Sequence, residues 1–386
     1  MHSDSHRPTW AEIDLDALAA NFHNVKNLVG PGVKVMAVVK ADAYGHGAVK
    51  CAERLSQEGA DWFGVALPEE AIELRGAGIT HPILCLAGFW PGQAAACIQH
   101  KLVPVIYRLD MAEALDEAAR AAGVIADAHF KVDTGMSRLG VRFDQIGELA
   151  ERLRSFQHIR IDGLMTHFAA ADDPSCVPLT EHQLERFETV LTIFRERGYP
   201  LTYRHLANSA AIYVQPNSWG NLVRPGGVLY GLWRDVLPAS HEDVGLRPVM
   251  SLHSRISLLK WIPRGETIGY GCTFEASRQT LVATIPIGYD DGYKRGLSNR
   301  GHVVVRDVYA PVVGRVSMDL TMVDVTNVPG AEVGDQVTLM GTASSRNKEK
   351  LSLTIPAEDL AKIIGTLSYE VTCGISKRVP REYISK

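Results

Sequence analysis

The chain has 386 residues, room for two or three domains, and its 46% hydrophobic and 22% charged content matches soluble globular proteins and excludes wholesale disorder, collagen and coiled coil. A formal charge of −4 leaves no general excess of Lys or Arg to neutralise a phosphate backbone, which argues against a nucleic-acid partner while leaving small anions open. The start, MHSDSHRPTWAEIDLD, lacks the basic and apolar regions of a secretory signal. No stretch approaches the roughly 18 to 20 apolar residues of a membrane span, so a cytoplasmic protein with no membrane partner is expected. Cys51, Cys85, Cys97, Cys176, Cys272 and Cys373 are scattered without close pairs, so reduced thiols and no metal site are expected.

From Lys34 to about Gly226, short β-branched runs alternate with longer helical segments. The predicted strands are 34–40, 62–66, 82–86, 103–106, 127–133, 161–167, 202–208 and 221–226. Between the sixth and seventh, Leu184, Phe187, Val190, Leu191 and Phe194 recur at helical spacing, with Thr180 and Gln183 fitting a capping box and Gly198 a C-terminal cap. Eight such units predict an α/β fold of the (β/α)8 TIM-barrel type, with an open doubly wound sheet as the competing arrangement. Beyond about Val244 the texture becomes RISLLKWI, TLVATIPIGY, HVVVRD, RVSMDLTMVDVT and DQVTLMG, with one evident helix, PAEDLAKIIG, and a polar loop at 343–350. A mainly β C-terminal domain follows. The expected division is 9–243 for the barrel and 244–386, with residues 1–8, for the second domain.

Active sites of barrel enzymes lie at the C-terminal ends of the strands, and here those ends are polar. The first strand ends in Lys40, the fifth runs into DTGMSRLG, the sixth ends in His167, the seventh in Asn208-Ser209 and the eighth in Arg224-Pro-Gly226-Gly227. A partly desolvated Lys40 amine would be a good nucleophile toward a carbonyl. Loops after strands seven and eight commonly receive phosphate. Taken singly, each residue has a bland reading. Lys40 could reach solvent or pair with Asp42, Ser209 could cap a helix, Gly226-Gly227 could be an ordinary turn, His167 a core histidine and Arg138 a surface cation. Arg224 at a barrel mouth needs an acceptor once desolvated.

Together, VVKADAYGHG, DTGMSRLG, MTHFAAAD, HLANSA and RPGGVLYG, followed by GYGCTF, TIPIGYDDGY and GRVSMDLTMVDVT, resemble the ordered motifs of the alanine racemase family, fold-type III pyridoxal-phosphate enzymes, over nearly the whole chain. The resemblance implies that Lys40 carries pyridoxal 5'-phosphate on its amine. Tyr44, Ser209 and the Gly226-Gly227 backbone, with Asn208 alongside, would hold the phosphate, and Arg224 would face the pyridine nitrogen. Arg138 would contact the cofactor's phenolic oxygen and, with the Met318 backbone N–H, the substrate carboxylate. His167 would support Arg224 and a second base, Tyr270, supplied by the other subunit of a homodimer with shared active sites. Tyr289 would narrow the entrance, with Arg295 and Arg315 further out. Lys131 stands where some members carry a carbamylated lysine. Two departures appear: Gly227 replaces the family's frequent Ile, and Lys377 stands where some members have a phosphate-contacting tyrosine.

The implied activity is isomerisation of L-alanine to D-alanine, supplying D-alanine for cell-wall peptidoglycan. Racemisation needs bases on both faces of a planar intermediate, which Lys40 and Tyr270 would provide. Three alternatives stand beside this one. They are a racemase of broader range or preferring serine, since a methylene changes discrimination by only about 1 to 3 kcal/mol; a fold-type III decarboxylase, whose glutamate-proline-glycine-arginine signature is missing; and a non-catalytic pyridoxal-phosphate carrier, a class built as a barrel alone.

Overall fold

The computed structural model describes residues 7–238, 241, 244–343 and 353–385. The chain divides into two compact units, one of Leu18–Leu229 with Val236–Leu246, the other of residues up to Ala17, Tyr230–Asp235 and Arg247 onward.

Strand β1 (Trp10–Asp14) belongs to the second unit. The first unit contains β2 (Lys34–Val38), β3 (Trp62–Val65), β4 (Ile83–Cys85), β5 (Val103–Ile106), β6 (Ala126–Asp133), β7 (Val141–Arg142), β8 (Ile159–Met165), β9 (Tyr203–His205) and β10 (Leu222–Val223). Apart from β7, a short addition beside β6, these are the eight predicted strands. They pair in parallel in the order β10-β2-β3-β4-β5-β6-β8-β9. The remaining seam between β9 and β10 is bridged by Asn221 N–H to Arg204 O at 3.1 Å and Arg224 N–H to Ala207 O at 3.1 Å. The open-sheet alternative is thereby replaced by a nearly closed barrel. Met36, Trp62, Leu84, Val105, Met165 and Leu222, one from each of six strands, pack together as a core cluster.

The long helix begins earlier than its apparent capping box, spanning Val177–Glu196 with Pro178 in its first turn, where a fixed φ and a missing N–H are tolerated. Thr180 and Gln183 are therefore interior residues, both buried, whereas Gly198 ends the helix as predicted: it follows the cap Arg197 at φ 76°, its N–H donating to Arg195 O at 2.9 Å and Tyr199 N–H to Phe194 O at 3.1 Å. Phe187, Val190, Leu191 and Phe194 face the core as predicted.

In the second unit, β11 (Met250–Arg255), β14 (His302–Val305), β15 (Val308–Pro311), β17 (Gln336–Thr342), β18 (Thr354–Ile355) and β19 (Arg381–Ile384) join β1 in a seven-stranded sheet, and β12 (Leu258–Ile262), β13 (Thr280–Ile285) and β16 (Thr321–Asp324) form a three-stranded one. The expected division at residues 9 and 243 is corrected at its first edge. Residues 10–14 pair antiparallel with β11 and parallel with β19, so their backbone groups are satisfied on both sides inside the second unit's sheet. A second helix, Ser368–Cys373, follows Ala357–Ile364; at six residues it was too short to show a period. Of the predicted polar loop, residues 344–350 lie outside the described residues. All six cysteines are free thiols, with Cys51, Cys85 and Cys97 buried. Among the described residues, no helix is long and apolar enough to cross a membrane.

Gly220 lies on the barrel seam at φ 62°, where a Cβ would run into the Arg204 carbonyl. Gly220→Ala is therefore expected to lower unfolding stability by about 1 to 3 kcal/mol through overpacking and a disfavoured φ, measured as a lower urea midpoint. An unchanged midpoint would show the seam to be slack.

Candidate active site

Lys40 sits two residues beyond β2, half-buried, with Nζ 6.0 Å from the centroid of the Tyr44 ring. The residues between them are in an uncommon conformation. Ala41, Asp42, Ala43 and Tyr44 have φ of 52, 53, 53 and 56°, a left-handed turn that costs L-residues roughly 1 to 2 kcal/mol each. Surrounding bonds hold it in place. Ala41 N–H donates to Glu70 Oε1 at 2.7 Å, Ala48 N–H to Asp42 Oδ1 at 2.7 Å and Gly47 N–H to Asp42 O at 2.9 Å. The buried His46 places Nδ1 2.9 Å from Ala43 O and 3.0 Å from Tyr44 O, so that nitrogen carries the proton. Asp42 thus helps to fix the turn.

The turn directs the Tyr44 hydroxyl toward the loop after β10. A Cβ on Gly226 would run into that hydroxyl and would lie 3.7 Å from Ser209 Oγ. Gly226 N–H donates to Ser209 Oγ at 2.8 Å. Asn208, not Ser209, caps the helix Ser209–Val214, its Oδ1 accepting from Ala211 N–H at 3.1 Å, which leaves the Ser209 hydroxyl beside Gly226. Gly227 opens the 3-10 turn Gly227–Tyr230. Two hydroxyls around a side-chain-free backbone fit a tetrahedral oxyanion, as the phosphate of pyridoxal 5'-phosphate requires.

Arg224 is 4% exposed. Its guanidinium donates to the carbonyls of His205 (2.6 Å), Thr166 (2.7 Å) and Leu206 (2.9 Å), and meets Nδ1 of His205 at 3.1 Å and Nδ1 of His167 at 3.2 Å. Burial lowers its pKa to about 9, still protonated at neutrality. An arginine can only donate, so both imidazole Nδ1 atoms must accept. His205 then carries its proton on Nε2, 2.8 Å from His129 Nδ1, and His129 in turn presents Nε2 to Asp162 Oδ1 at 3.4 Å. Burial, with Arg224 close by, holds His167 and His205 well below the usual histidine range and His129 at about 3. All three are neutral. Desolvation and the nearby Asp127 raise Asp162 to about 6. The strand register shifts between Ala128 and His129, and a Cβ on Gly163 would enter the His129 ring, so strand irregularity and glycine together make room for it.

Lys131, 5% exposed, has its pKa lowered to about 7 by burial first and then by Arg224, Arg138 and Lys40, against Asp133. These couplings bring Lys40, Lys131, Arg138, His167 and Arg224 into one electrostatic neighbourhood. Arg138 is exposed, after the left-handed Ser137. Gln183 ties this end of the barrel together. Its Nε2 donates to Thr134 Oγ1 at 3.1 Å and His167 O at 3.0 Å, while Oε1 accepts from Ala169 N–H at 3.0 Å.

Gln183, His205, His129 and Asp162 escaped sequence reasoning. His129 could have been found from DAHFKVD, where it alternates with Lys131 on one face of the strand.

The remaining predicted residues belong to the second unit. Tyr270 is 72% exposed at the start of a turn whose Gly271 would place a Cβ 3.0 Å from Arg315 Nη1. Tyr289 N–H donates to Ser317 O at 3.0 Å and Asp290 N–H to Met318 O at 3.2 Å, so the structure joins Tyr289 and Met318. Among the described residues the Met318 N–H has no acceptor. Arg295 opens the short turn Arg295–Leu297, and Lys377 lies beside Arg378 before β19.

A nearly closed (β/α)8 barrel with a lysine at the end of its first strand and an oxyanion cradle at its last, followed by a mainly β unit, defines a class of barrel isomerase. Residues 13–233 match the alanine racemase N-terminal domain and residues 249–383 the alanine racemase C-terminal domain. Alanine racemases of Citrifermentans bemidjiense and Geobacter sulfurreducens are each 44% identical, the first over 98% of this chain and 99% of its own, the second over 98% of both. The solved alanine racemase of Clostridium difficile superposes with a TM-score of 0.88 at 37% identity, covering 98% of this chain and 96% of that one. That of Bacillus anthracis with bound L-Ala-P gives 0.89 at 31%, covering 99% and 96%. The chain belongs to the alanine racemase family.

Asp162 gives a pH test. Its folded pKa of about 6 lies above the unfolded value near 3.8, so the stability it contributes is complete below pH 3.8 and is lost as pH rises through 6. Between these limits the wild type should lose more stability than Asp162→Asn, measured by urea unfolding at each pH; parallel curves would place the titration elsewhere.

Proposed function

We propose that this chain interconverts L-alanine and D-alanine with pyridoxal 5'-phosphate held at the C-terminal end of the barrel. One observation carries the reading: the left-handed turn that begins beside Lys40 ends by presenting the Tyr44 hydroxyl to Ser209 and Gly226, so a single backbone device couples an amine to an oxyanion cradle. In that reading Lys40 attaches the cofactor, while Tyr44, Asn208, Ser209, Gly226 and Gly227 surround its phosphate and Arg224 donates to its ring nitrogen. Bound pyridoxal phosphate supplies an electron-withdrawing ring that acidifies the α-hydrogen of the amino acid. Arg224 keeps its proton while donating, so it makes that ring a weaker electron sink than a carboxylate partner would, and it discourages side reactions.

Lys40 holds or releases a proton on one face of the α-carbon. Tyr270, from a second copy of the chain, does so on the other. A phenol acting as a base near neutrality needs cations or donors beside it, and the His167 and Arg224 pair provides them. In the proposed homodimer, Arg138 of one copy and the unbonded Met318 N–H of the second copy receive the substrate carboxylate, and Tyr289 of that second copy narrows the approach. Lys131, an amine titrating near neutrality, suits carbamylation, which requires the neutral form, and as a carbamate it would orient Arg138. The assembly is a cytoplasmic homodimer with shared active sites, providing D-alanine for peptidoglycan.

Borohydride reduction followed by peptide mapping should place the cofactor on Lys40 alone, and a label elsewhere overturns the reading. Tyr270→Phe should slow racemisation by about 10²-fold or more, the typical worth of a positioned base, with pyridoxal phosphate absorbance retained. Full activity in that variant would remove Tyr270 as a base. Carbon-13 bicarbonate should give a carbamate resonance that is missing from Lys131→Ala.

A further inference from the structure

One cluster of charges in the second unit is left unexplained by that chemistry. Arg378 is bonded to Asp290 and, at 2.6 Å, to Asp319, and its Nε lies 3.6 Å from Asp291 Oδ1. Asp290 immediately follows Tyr289, and Asp319 immediately follows Met318. One guanidinium therefore closes the same two segments that Tyr289 N–H to Ser317 O and Asp290 N–H to Met318 O join through the backbone. A Cβ on Gly288 would run into the Ser317 and Met318 carbonyls, so the segments approach as closely as glycine allows.

Beneath them Asp291, with no exposed side-chain surface, accepts from Gly288 N–H at 2.9 Å and pairs with Arg7, whose Nη1 lies 3.1 Å from Oδ2. The Asp290 and Asp319 side chains are half exposed, and three carboxylates stand within one or two residues of the Met318 and Tyr289 positions. A bare acidic cluster there would repel an anion approaching the Met318 N–H, since like charges a few ångströms apart interact appreciably even near a surface. Ser317 O, which shares a peptide unit with the Met318 N–H, accepts from Tyr289 N–H at 3.0 Å, and Met318 O in the next unit accepts from Asp290 N–H, so the orientation of that N–H is fixed from both sides.

We propose that Arg378 is a positioning residue that clamps the Tyr289 and Met318 segments together and, with Arg7 paired to Asp291, offsets the charge of Asp290 and Asp319, so that the carboxylate of an amino-acid substrate can be received at the Met318 N–H. The inference rests on the function proposed above. Arg378 does not touch the reacting atoms; it sets the field and geometry of the group that does.

The test compares wild-type and variant holoenzymes by steady-state racemisation of L-alanine and by competitive inhibition with propionate, a plain carboxylate probe, with cofactor absorbance as the check on loading. Arg378→Gln should raise KM and the propionate inhibition constant together by about tenfold, with kcat changed much less. Adding Asp290→Asn and Asp319→Asn should recover most of that loss, because the repelling charges are gone. Arg378→Lys, which keeps the charge and loses the fork, should fall between them and keeps the test readable if the Gln variant folds poorly. Unchanged KM and inhibition constant in both Arg378 variants, or a fall in kcat alone, overturns the clamp. A wild type that binds cofactor yet fails to racemise alanine overturns instead the function on which it rests.

Discussion

A guanidinium withdrawn from water must be given acceptors, and Arg224 obtains those for Nη1 and Nη2 from the strand ends themselves. Carbonyls of Thr166, His205 and Leu206 lie where β8 and β9 finish, so the barrel's parallel geometry supplies what no carboxylate among its hydrogen-bond partners does. The two imidazoles that complete the shell are forced into one tautomer each, and that constraint passes from His205 to His129. The arrangement leaves a proton-retaining cation against neutral imidazoles. Under the proposed function, such a group would polarise a bound ring without exchanging a proton with it.

The second constraint is backbone shape. Four consecutive residues in the left-handed region are held by Glu70, Asp42 and His46, none of which is a candidate for touching substrate. Strain of this kind persists only where neighbours over-determine it, and it is concentrated here between the amine and the hydroxyl that the proposed cofactor would bridge. The second unit makes a similar arrangement from different parts, with glycine, paired backbone bonds and an arginine holding two segments at fixed separation.

Much of the barrel was legible because its strands are continuous apolar runs whose polar residues cluster at one end. Lys40, His167, Ser209 and Arg224 stand out by their position at the ends of those runs. The helix start at Val177 was misjudged because Thr180 and Gln183 imitate a capping box while Gln183 is in fact consumed by Thr134, His167 and Ala169 across the barrel end. The role of β1 was invisible since its partners lie more than 230 residues away in the chain. Asp162 and His205 were missed for a similar reason: their meaning arises from side chains on neighbouring strands. Arg378 and its carboxylates, separated by 59 to 88 residues, carry no local signal at all.

The left-handed turn after Lys40 also limits how far its chemistry can be moved. A synthetic peptide copying residues 38 to 47 would relax to ordinary right-handed or extended backbone, because Glu70 and the residues behind it would be missing. Grafting the ten-residue motif onto another scaffold would transfer the lysine without its geometry. The reactive unit is therefore the folded barrel, and an engineer wishing to borrow it must import the helix Pro68–Gly76 that carries Glu70 along with the nucleophile.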